Sequence, residues 1–339
     1  MDVAHTMKAF GISRYGGNDL VQAMELPRPQ PGPEDVLIEV HAASVNPVDF
    51  KIRDGGARVL LPYAFPLVLG NDLSGVIVDV GSEVRAYRPG EEVYVRLDKR
   101  RIGAFAEFVL ARQQDVALKP RNLSHQEAAS IPLVGLTAWQ ALVDLGSVTR
   151  GHHVLIHAGS GGLGTFAIQL AKHLGATVSA TCSTPNVEMV RRLGADVVVD
   201  YRHQRFEQEL RDVDVALDSL GGETCRKTFQ VMRRGGMLIT VTNLPTAAYA
   251  RETKMGMGWV ALFGLLNLGT WRLSRAHDVD YRFLFMRPNG EQLARIAELI
   301  ERGIIRPVVD KVFSFEETPK ALAYVETGRA RGKVVIRVR

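Results

Sequence analysis

The sequence predicts an α/β chain of two domains, one built on a doubly wound parallel sheet and the other rich in short β-strands. Three observations carry that expectation. A length of 339 residues exceeds what one hydrophobic core ordinarily serves. Short alternating apolar runs punctuated by Gly and Pro fill Met7 to Leu118, and from Ser124 onward apolar runs alternate with helical periodicity. Hydrophobic residues at 46% and charged residues at 23% give the balance of a globular protein and exclude a disordered or fibrous one.

In the first domain, runs such as Val36 to Val40, Gly75 to Val80 and Glu92 to Val95 have strand-like alternation bounded by turn residues. After Leu123 the texture changes. Ser124 to Glu127 has the form of a capping box, and an amphipathic helix follows. Strands covered on both faces must be apolar throughout, and five runs qualify: His153 to His157, Thr177 to Thr181, Val197 to Val199, Val213 to Leu217 and Met237 to Val241. Helical patterns lie between them, as at Gly164 to Leu174 and Val187 to Leu193, which is the order of a parallel, doubly wound sheet. Glu291 to Arg302 repeats Leu293, Ile296, Ala297 and Ile300 at helical spacing. Val334 to Val338 reads as a terminal strand that returns to the β-rich domain. The expected division is 1–123, completed by about 308–339, for the β-rich domain and 124–307 for the parallel-sheet domain.

The charge of +5 is modest and dispersed apart from Lys99, Arg100 and Arg101, so a nucleic-acid partner is not expected. Cys182 and Cys225 form neither a disulfide framework nor a CxxC pair, which fits a reducing, cytoplasmic setting. Met1 to Lys8 lacks the apolar core of a signal peptide, and Met7 begins the first strand-like run, so the residues before it read as a flexible extension. Met255 to Trp271 carries no charge and is bracketed by Lys254 and Arg272. Its length only grazes the lower limit of ~17 residues for a spanning helix, and its glycines and Asn267 weaken that use further. An apolar wall or lid over an acceptor site, with Trp259 and Phe263 facing the acceptor, is the expected role, and peripheral membrane contact is the other one.

Immediately after the run His153 to His157 comes Ala158-Gly159-Ser160-Gly161-Gly162-Leu163-Gly164, placed between a strand and a helix as a dinucleotide site requires. The first glycine permits a tight turn, the second lets backbone amides approach a pyrophosphate, and the third lets helix and strand pack closely. The helix N-terminus supplies unpaired N–H groups and a positive dipole end. A Rossmann dinucleotide-binding domain is therefore expected. Roughly 20 residues further on, NAD-binding proteins place a carboxylate against the ribose hydroxyl, whereas here the strand ends in Thr181-Cys182-Ser183-Thr184. Hydroxyls at Ser183 and Thr184 in place of an acid favour NADPH, with Arg191 and Arg192 as nearby sources of positive charge.

ASVNPVDFKIRDGG at Ala43 to Gly56, GNDLSGVIVDVGSEV at Gly70 to Val84, GAFAEFV at Gly103 to Val109, the GSGGLG turn and GRARGKVVI at Gly328 to Ile336 follow one another in the order found in the medium-chain dehydrogenase/reductases. From about Met7 to Arg339 the chain resembles that family, and within it the zinc-free quinone oxidoreductase branch. YRFLFMRPNG and IRPVVDKVFSF look most like the reticulon-interacting mitochondrial oxidoreductases and, less closely, the plant alkenal reductases. The resemblance implies a GroES-like β-rich catalytic domain beside the Rossmann domain. It implies Ser160, Gly161, Gly162 and Leu163 at the pyrophosphate and Ser183 with Tyr201 at the adenosine 2′-phosphate. Ser219 and Leu220 would border adenine and ribose, Val241 and Thr242 the nicotinamide, with Leu284, Phe285, Arg329, Ala330 and Arg331 completing the cofactor contacts. It also implies a homodimer formed near the Val231 to Val241 sheet edge.

The zinc enzymes of that family have Cys where this sequence has Asn46, and His-Glu where it has Asn71-Asp72. Tyr94 to Ala104 contains no Cys and so cannot form their four-cysteine loop. Zinc favours imidazole and thiolate partners, so no metal is expected. Without a Lewis acid to polarise a carbonyl, hydride transfer is expected to go to acceptors that are already electron-poor, namely quinones and activated alkenes. Asn46, Asp49, Lys51 and Tyr63 are the candidate catalytic groups, with a bound water as an alternative proton source. An enoyl-thioester reductase and a non-catalytic NADPH-binding interaction protein are the competing readings.

Overall fold

A computed structural model describes residues 6–339 except Ala57, so the leading extension expected at the N-terminus falls largely outside the described residues. The chain divides into two compact units, one comprising residues up to Leu136 together with Arg287–Arg339 and the other comprising Thr137–Met286.

Strand Asp35–Val45 is the hub of the first unit. It pairs antiparallel with Asp72–Val80, with Phe108–Arg112 and with the terminal strand Lys333–Arg337, in a seven-stranded sheet whose remaining members are Val309–Ser314, Glu92–Arg96 and Val116–Leu118. A smaller sheet orders Gln22–Pro27, Thr6–Ile12 and Leu67–Val68. The alternation read from the sequence places Val36, Ile38, Val40, Leu73, Ile77, Val93 and Val95 in one core, because successive side chains of a strand face opposite sides. A Cβ at Gly75 would lie 2.0 Å from the Glu39 carbonyl oxygen, so the close pairing of the two central strands admits only glycine there.

Two helices expected in the parallel-sheet domain belong to this first unit. His125–Ala129 opens on Ser124 and Glu127, which form the reciprocal cap read from the sequence. Gly290–Glu301 is held by the Tyr94 hydroxyl, which donates to the Leu293 carbonyl at 2.6 Å from a fully buried position. The units thus divide after Leu136 and Met286 rather than near 123 and 307.

The second unit contains six parallel strands: His153–Ile156, Thr177–Cys182, Val197–Asp200, Val213–Asp218, Met232–Thr240 and Asp280–Phe283. In the sheet the first strand lies at the centre, with the second and third to one side and the fourth, fifth and sixth to the other. Five of the six were legible as apolar runs. The sixth, DYRF, is short, polar and only partly buried, and it pairs along Met232–Thr240. The segment expected to form a dimer edge is therefore an interior strand. Met255 to Trp271 does not form one long helix: it enters two consecutive helices, Met257–Leu266 and Leu268–His277. Among the described residues no helix is long and apolar enough to cross a membrane.

Replacing Tyr94 with Phe removes one buried hydroxyl and leaves the Leu293 carbonyl without that donor. The expected loss of stability is about 1–3 kcal/mol, to be measured by denaturant unfolding; a change within error would show that the hydroxyl does not hold the helix.

Candidate active site

Because every strand of the second unit runs the same way, the loops that follow them meet at one edge of the sheet. Ser160–Leu163, Ser183, Tyr201, Ser219–Leu220, Val241–Thr242 and Leu284–Phe285 each follow a different strand, so all the cofactor residues expected in this unit share that edge. Strand order reverses between His153–Ile156 and Val213–Asp218, the position at which open α/β sheets form their ligand crevice.

The glycine turn is built for close approach. Gly159 N–H donates to the Thr181 carbonyl at 2.8 Å, and Ala158 takes a positive φ of 51°. A Cβ on Gly164 would lie 2.3 Å from the Ala158 carbonyl oxygen, whereas one on Gly161 would meet nothing nearer than 3.4 Å. Gly164 is thus required by helix–strand packing. Gly161 caps helix Gly162–His173 and leaves a cradle that a phosphate can enter beside unpaired N–H groups. His157, just before the turn, is buried between the hydroxyls of Thr181 at 3.2 Å and Thr228 at 2.9 Å. Burial lowers its pKa to about 4, which keeps it a neutral brace.

At the second strand's end, Asn186 was not anticipated. Its amide donates to Ser160 Oγ at 3.0 Å and to Ser183 Oγ at 3.1 Å, joining the pyrophosphate turn to the expected 2′-phosphate site. Ser183 accepts that bond, so its own O–H can donate outward. Tyr201 is exposed, and its N–H donates to the Cys182 carbonyl at 3.1 Å, which sets it beside Ser183. Thr184 differs from expectation: its hydroxyl bonds to the Asp200 carboxylate, whose pKa is lowered by that bond first and by the Arg202 N–H. Arg192 pairs with Glu188 on the surface at 3.7 Å. Asp218 is a second residue that sequence reasoning missed. One of its oxygens accepts from the N–H groups of Leu220 and Gly221 at 3.0 and 2.9 Å, and the other from Thr240 Oγ1 at 2.9 Å. It shapes the Ser219–Leu220 loop against the neighbouring strand. Val241 N–H donates to the Asp218 carbonyl at 3.1 Å and Leu284 N–H to the Thr240 carbonyl at 2.9 Å, so Leu284 and Phe285 stand beside Val241 and Thr242. Arg329, Ala330 and Arg331 lie in the first unit, in the loop between helix Thr318–Glu326 and strand Lys333–Arg337.

The expected catalytic groups all lie in the first unit, and they diverge in setting. Asn46 and Asp49 are buried in a polar cluster. Asn46 N–H donates to Asp49 Oδ2 at 2.7 Å, Asn71 Nδ2 to Asp49 Oδ1 at 2.7 Å, and Asn46 Nδ2 to Asp72 Oδ2 at 3.0 Å. Ser44 Oγ also donates to Asp72 Oδ2 at 3.0 Å. Lys333 closes the cluster, with Nζ 2.5 Å from Asn46 Oδ1 and 3.8 Å from Asp72 Oδ2. Burial pushes the Asp49 carboxyl up to about 7 against its bonds from Asn71 and Asn46, and burial likewise raises Asp72. Lys51 is exposed on helix Pro47–Arg53, which also carries Asp49, and the Tyr63 hydroxyl donates to the Lys99 carbonyl at 2.6 Å. The structure therefore gathers Asn46 and Asp49 and leaves Lys51 outside.

Zinc does not fit this cluster. Asn46 Oδ1 already accepts the Lys333 ammonium, Asp72 Oδ2 accepts two donors, and the available ligands are amide and carboxylate oxygens rather than thiolate and imidazole.

The raised Asp49 pKa has a definite sign. The folded chain holds that proton more tightly than the unfolded chain, where an aspartate titrates near ~3.9. Its contribution to stability is full below that value and disappears as pH rises through about 7. Asp49→Asn should flatten the fall of the unfolding midpoint over this window, and an unchanged slope would contradict the assignment.

Residues 193–336 match the family model described as zinc-binding dehydrogenase, and residues 32–121 match the alcohol dehydrogenase GroES-like domain. NAD(P)H oxidoreductase RTN4IP1, mitochondrial, of Mus musculus is 38% identical over 98% of this chain and 89% of its own length. The NADPH-dependent alkenal/one oxidoreductase, chloroplastic, of Arabidopsis thaliana is 34% identical over 97% of this chain and 79% of its own. The solved quinone oxidoreductase of Coxiella burnetii is similar at a TM-score of 0.85 and 30% identity, covering 98% of this chain and all of that one. The expectation of a cytoplasmic setting is overturned, since the mouse relative and those of zebrafish, cattle and human are mitochondrial by name. Cradle, strand order and whole-length similarity agree: the chain belongs to the medium-chain dehydrogenase/reductases, in the quinone oxidoreductase branch that includes the RTN4IP1 oxidoreductases.

Proposed function

We propose that the protein is a metal-independent, NADPH-dependent reductase that transfers hydride to a quinone or an activated alkene. The observation that carries this reading is the single sheet edge, where an open glycine cradle and the Ser160–Asn186–Ser183 chain stand at the switch point. When bound, NADPH supplies the hydride, and the protein supplies position and electrostatics. The N–H groups following Gly161 bind the pyrophosphate. Ser183 donates to the 2′-phosphate, with the adjacent Tyr201 ring flanking the adenosine. Asp218 sets the loop at the ribose, and Val241, Thr242, Leu284 and Phe285 border the nicotinamide.

Asn46 and Asp49 act as positioning residues: their polar atoms are spent on one another, on Asn71, on Asp72 and on Lys333. Tyr63 is committed to a backbone carbonyl and Lys51 faces outward. Water therefore delivers the proton that follows hydride transfer, to the oxygen of a reduced quinone or to the carbon beside the carbonyl of a reduced enone. An acceptor that needs no Lewis acid is already electron-poor, which favours these two classes over simple alcohols and ketones. The names of the alkenal/one and quinone oxidoreductase relatives support the same two classes. A homodimer remains part of the proposal, with Asp280–Phe283, the outermost strand of the parallel sheet, replacing Met232–Thr240 as its edge.

Calorimetric titration should show NADPH binding at least ~10-fold more tightly than NADH, about 1.4 kcal/mol for hydrogen bonds to a charged phosphate. Ser183→Asp should abolish the preference. Equal affinities in the unsubstituted protein would reject the cofactor assignment, and absent turnover with quinones, alkenals and enoyl-CoA alike would reject the enzyme.

A further inference from the structure

Helix Met257–Leu266 is apolar on every side, yet only one side is covered. Val260 and Phe263 are buried against Ala250, with Ala247, Met255 and Trp259 packed around them, and the Trp259 and Phe263 rings lie 5.4 Å apart. These aromatics, expected to face an acceptor, instead hold the helix to its neighbour Ala247–Glu252. Away from that contact the helix exposes Met257, Leu262, Leu265 and Leu266, and the next helix adds exposed Leu268 and Trp271. Met257 is 78% exposed, Leu265 71% and Trp271 53%. An all-apolar helix ordinarily lies within a core or against lipid, and an uncovered row of this size marks an interaction surface.

The charges around the row select its partner. No Asp or Glu occurs between Glu252 and Asp278, while Arg251 and Lys254 precede the row and Arg272 and Arg275 follow it, all four exposed. The two bounding acids are engaged, Glu252 with Arg282 at 3.2 Å and Asp278 with Arg234 at 3.7 Å. Arg275 lies 5.2 Å over the Trp271 ring, a pairing of cation and amphipathic ring suited to the boundary between headgroups and acyl chains. A second copy docked on this face would bring its own four cations against these four, which disfavours self-association.

We propose that Met257–Leu266 and Leu268–His277 form a peripheral docking surface for an anionic lipid bilayer, lying in the interface plane with the apolar row among the acyl chains and the flanking cations among the phosphates. The surface gives a reductase of hydrophobic acceptors access to substrate dissolved in a membrane. The lipid contact itself rests only on these two helices and not on the proposed activity.

The test is flotation of the full chain with vesicles of phosphatidylcholine alone and of an equal mixture of phosphatidylcholine and phosphatidylglycerol. The protein should float with the mixed vesicles, and added salt should weaken the binding. The double variant Met257→Glu with Leu265→Glu should lose ~10-fold or more in partitioning. Both side chains are exposed, so its thermal midpoint and NADPH affinity should be unchanged, which separates this claim from the cofactor assignment. Arg272→Ala with Arg275→Ala should lower binding to the mixed vesicles. Wild-type protein that stays in the bottom fraction, or a double variant that floats as well as wild type, would overturn the proposal. Self-association in sedimentation that the double variant abolishes, without vesicle binding, would give the face to a second copy instead.

Discussion

Parallel strand direction is the constraint from which the rest of the cofactor edge follows. A single antiparallel strand in the second unit would send its following loop to the far edge and break the row of Ser160, Ser183, Tyr201, Ser219, Val241 and Leu284. Parallel pairing needs long crossovers and strands buried on both faces. This explains both the continuous apolar runs and the side chains at their ends, where polar groups can meet solvent or ligand. Asp218 stands at that boundary: it is fully buried, yet accepts three hydrogen bonds that fix one loop and join two strands. A buried carboxylate is tolerable when its oxygens are satisfied in this way.

The polar cluster of the first unit meets that rule only in part, since Asp72 Oδ1, Asn71 Oδ1 and Arg96 Nε are buried without a hydrogen-bond partner. Two carboxylates, Asp49 and Asp72, are buried with two cations, Lys333 and Arg96. Asp72 and Arg96 stand opposite one another in the register of adjacent strands. Removing one member of such a group costs more than the group contributes as a whole, because the others remain buried and unpaired. The ammonium of Lys333 sits on Asn46, the position that holds a thiolate ligand in the zinc members of the family. The acceptor of Asn46 is thus taken by a side-chain cation, and the donors left over, among them the unpartnered Asn71 Oδ1 and Asp72 Oδ1, are oxygens rather than thiolate and imidazole.

Local pattern revealed much of this architecture. The five apolar strands, the glycine turn, the Ser124 cap and the terminal strand are short-range signals, and each appeared within a residue or a few of its expected bounds. What remained hidden depends on distance along the chain. Lys333 lies 287 residues from Asn46, and the sequence showed it only as part of a terminal basic motif. Asn186 and Asp218 act through neighbours on other loops, so neither their type nor their spacing marks them. Strand Asp280–Phe283 escaped notice because it is an edge strand with half-exposed polar residues. The unit boundary moved at Met286 because helix Gly290–Glu301, correctly read as a helix, packs on the first unit, where a tyrosine 199 residues away bonds it. Thr184 was misread for a similar reason, its hydroxyl being taken by Asp200 from the adjacent strand.

The central claim is that this protein transfers hydride from NADPH without a metal. Its most direct test is the steady-state oxidation of NADPH by a quinone, measured on one preparation before and after exhaustive chelation, with metal content determined at each stage. Unchanged turnover in protein freed of zinc is the predicted result. Turnover that disappears with stoichiometric zinc and returns when zinc is restored would contradict the account.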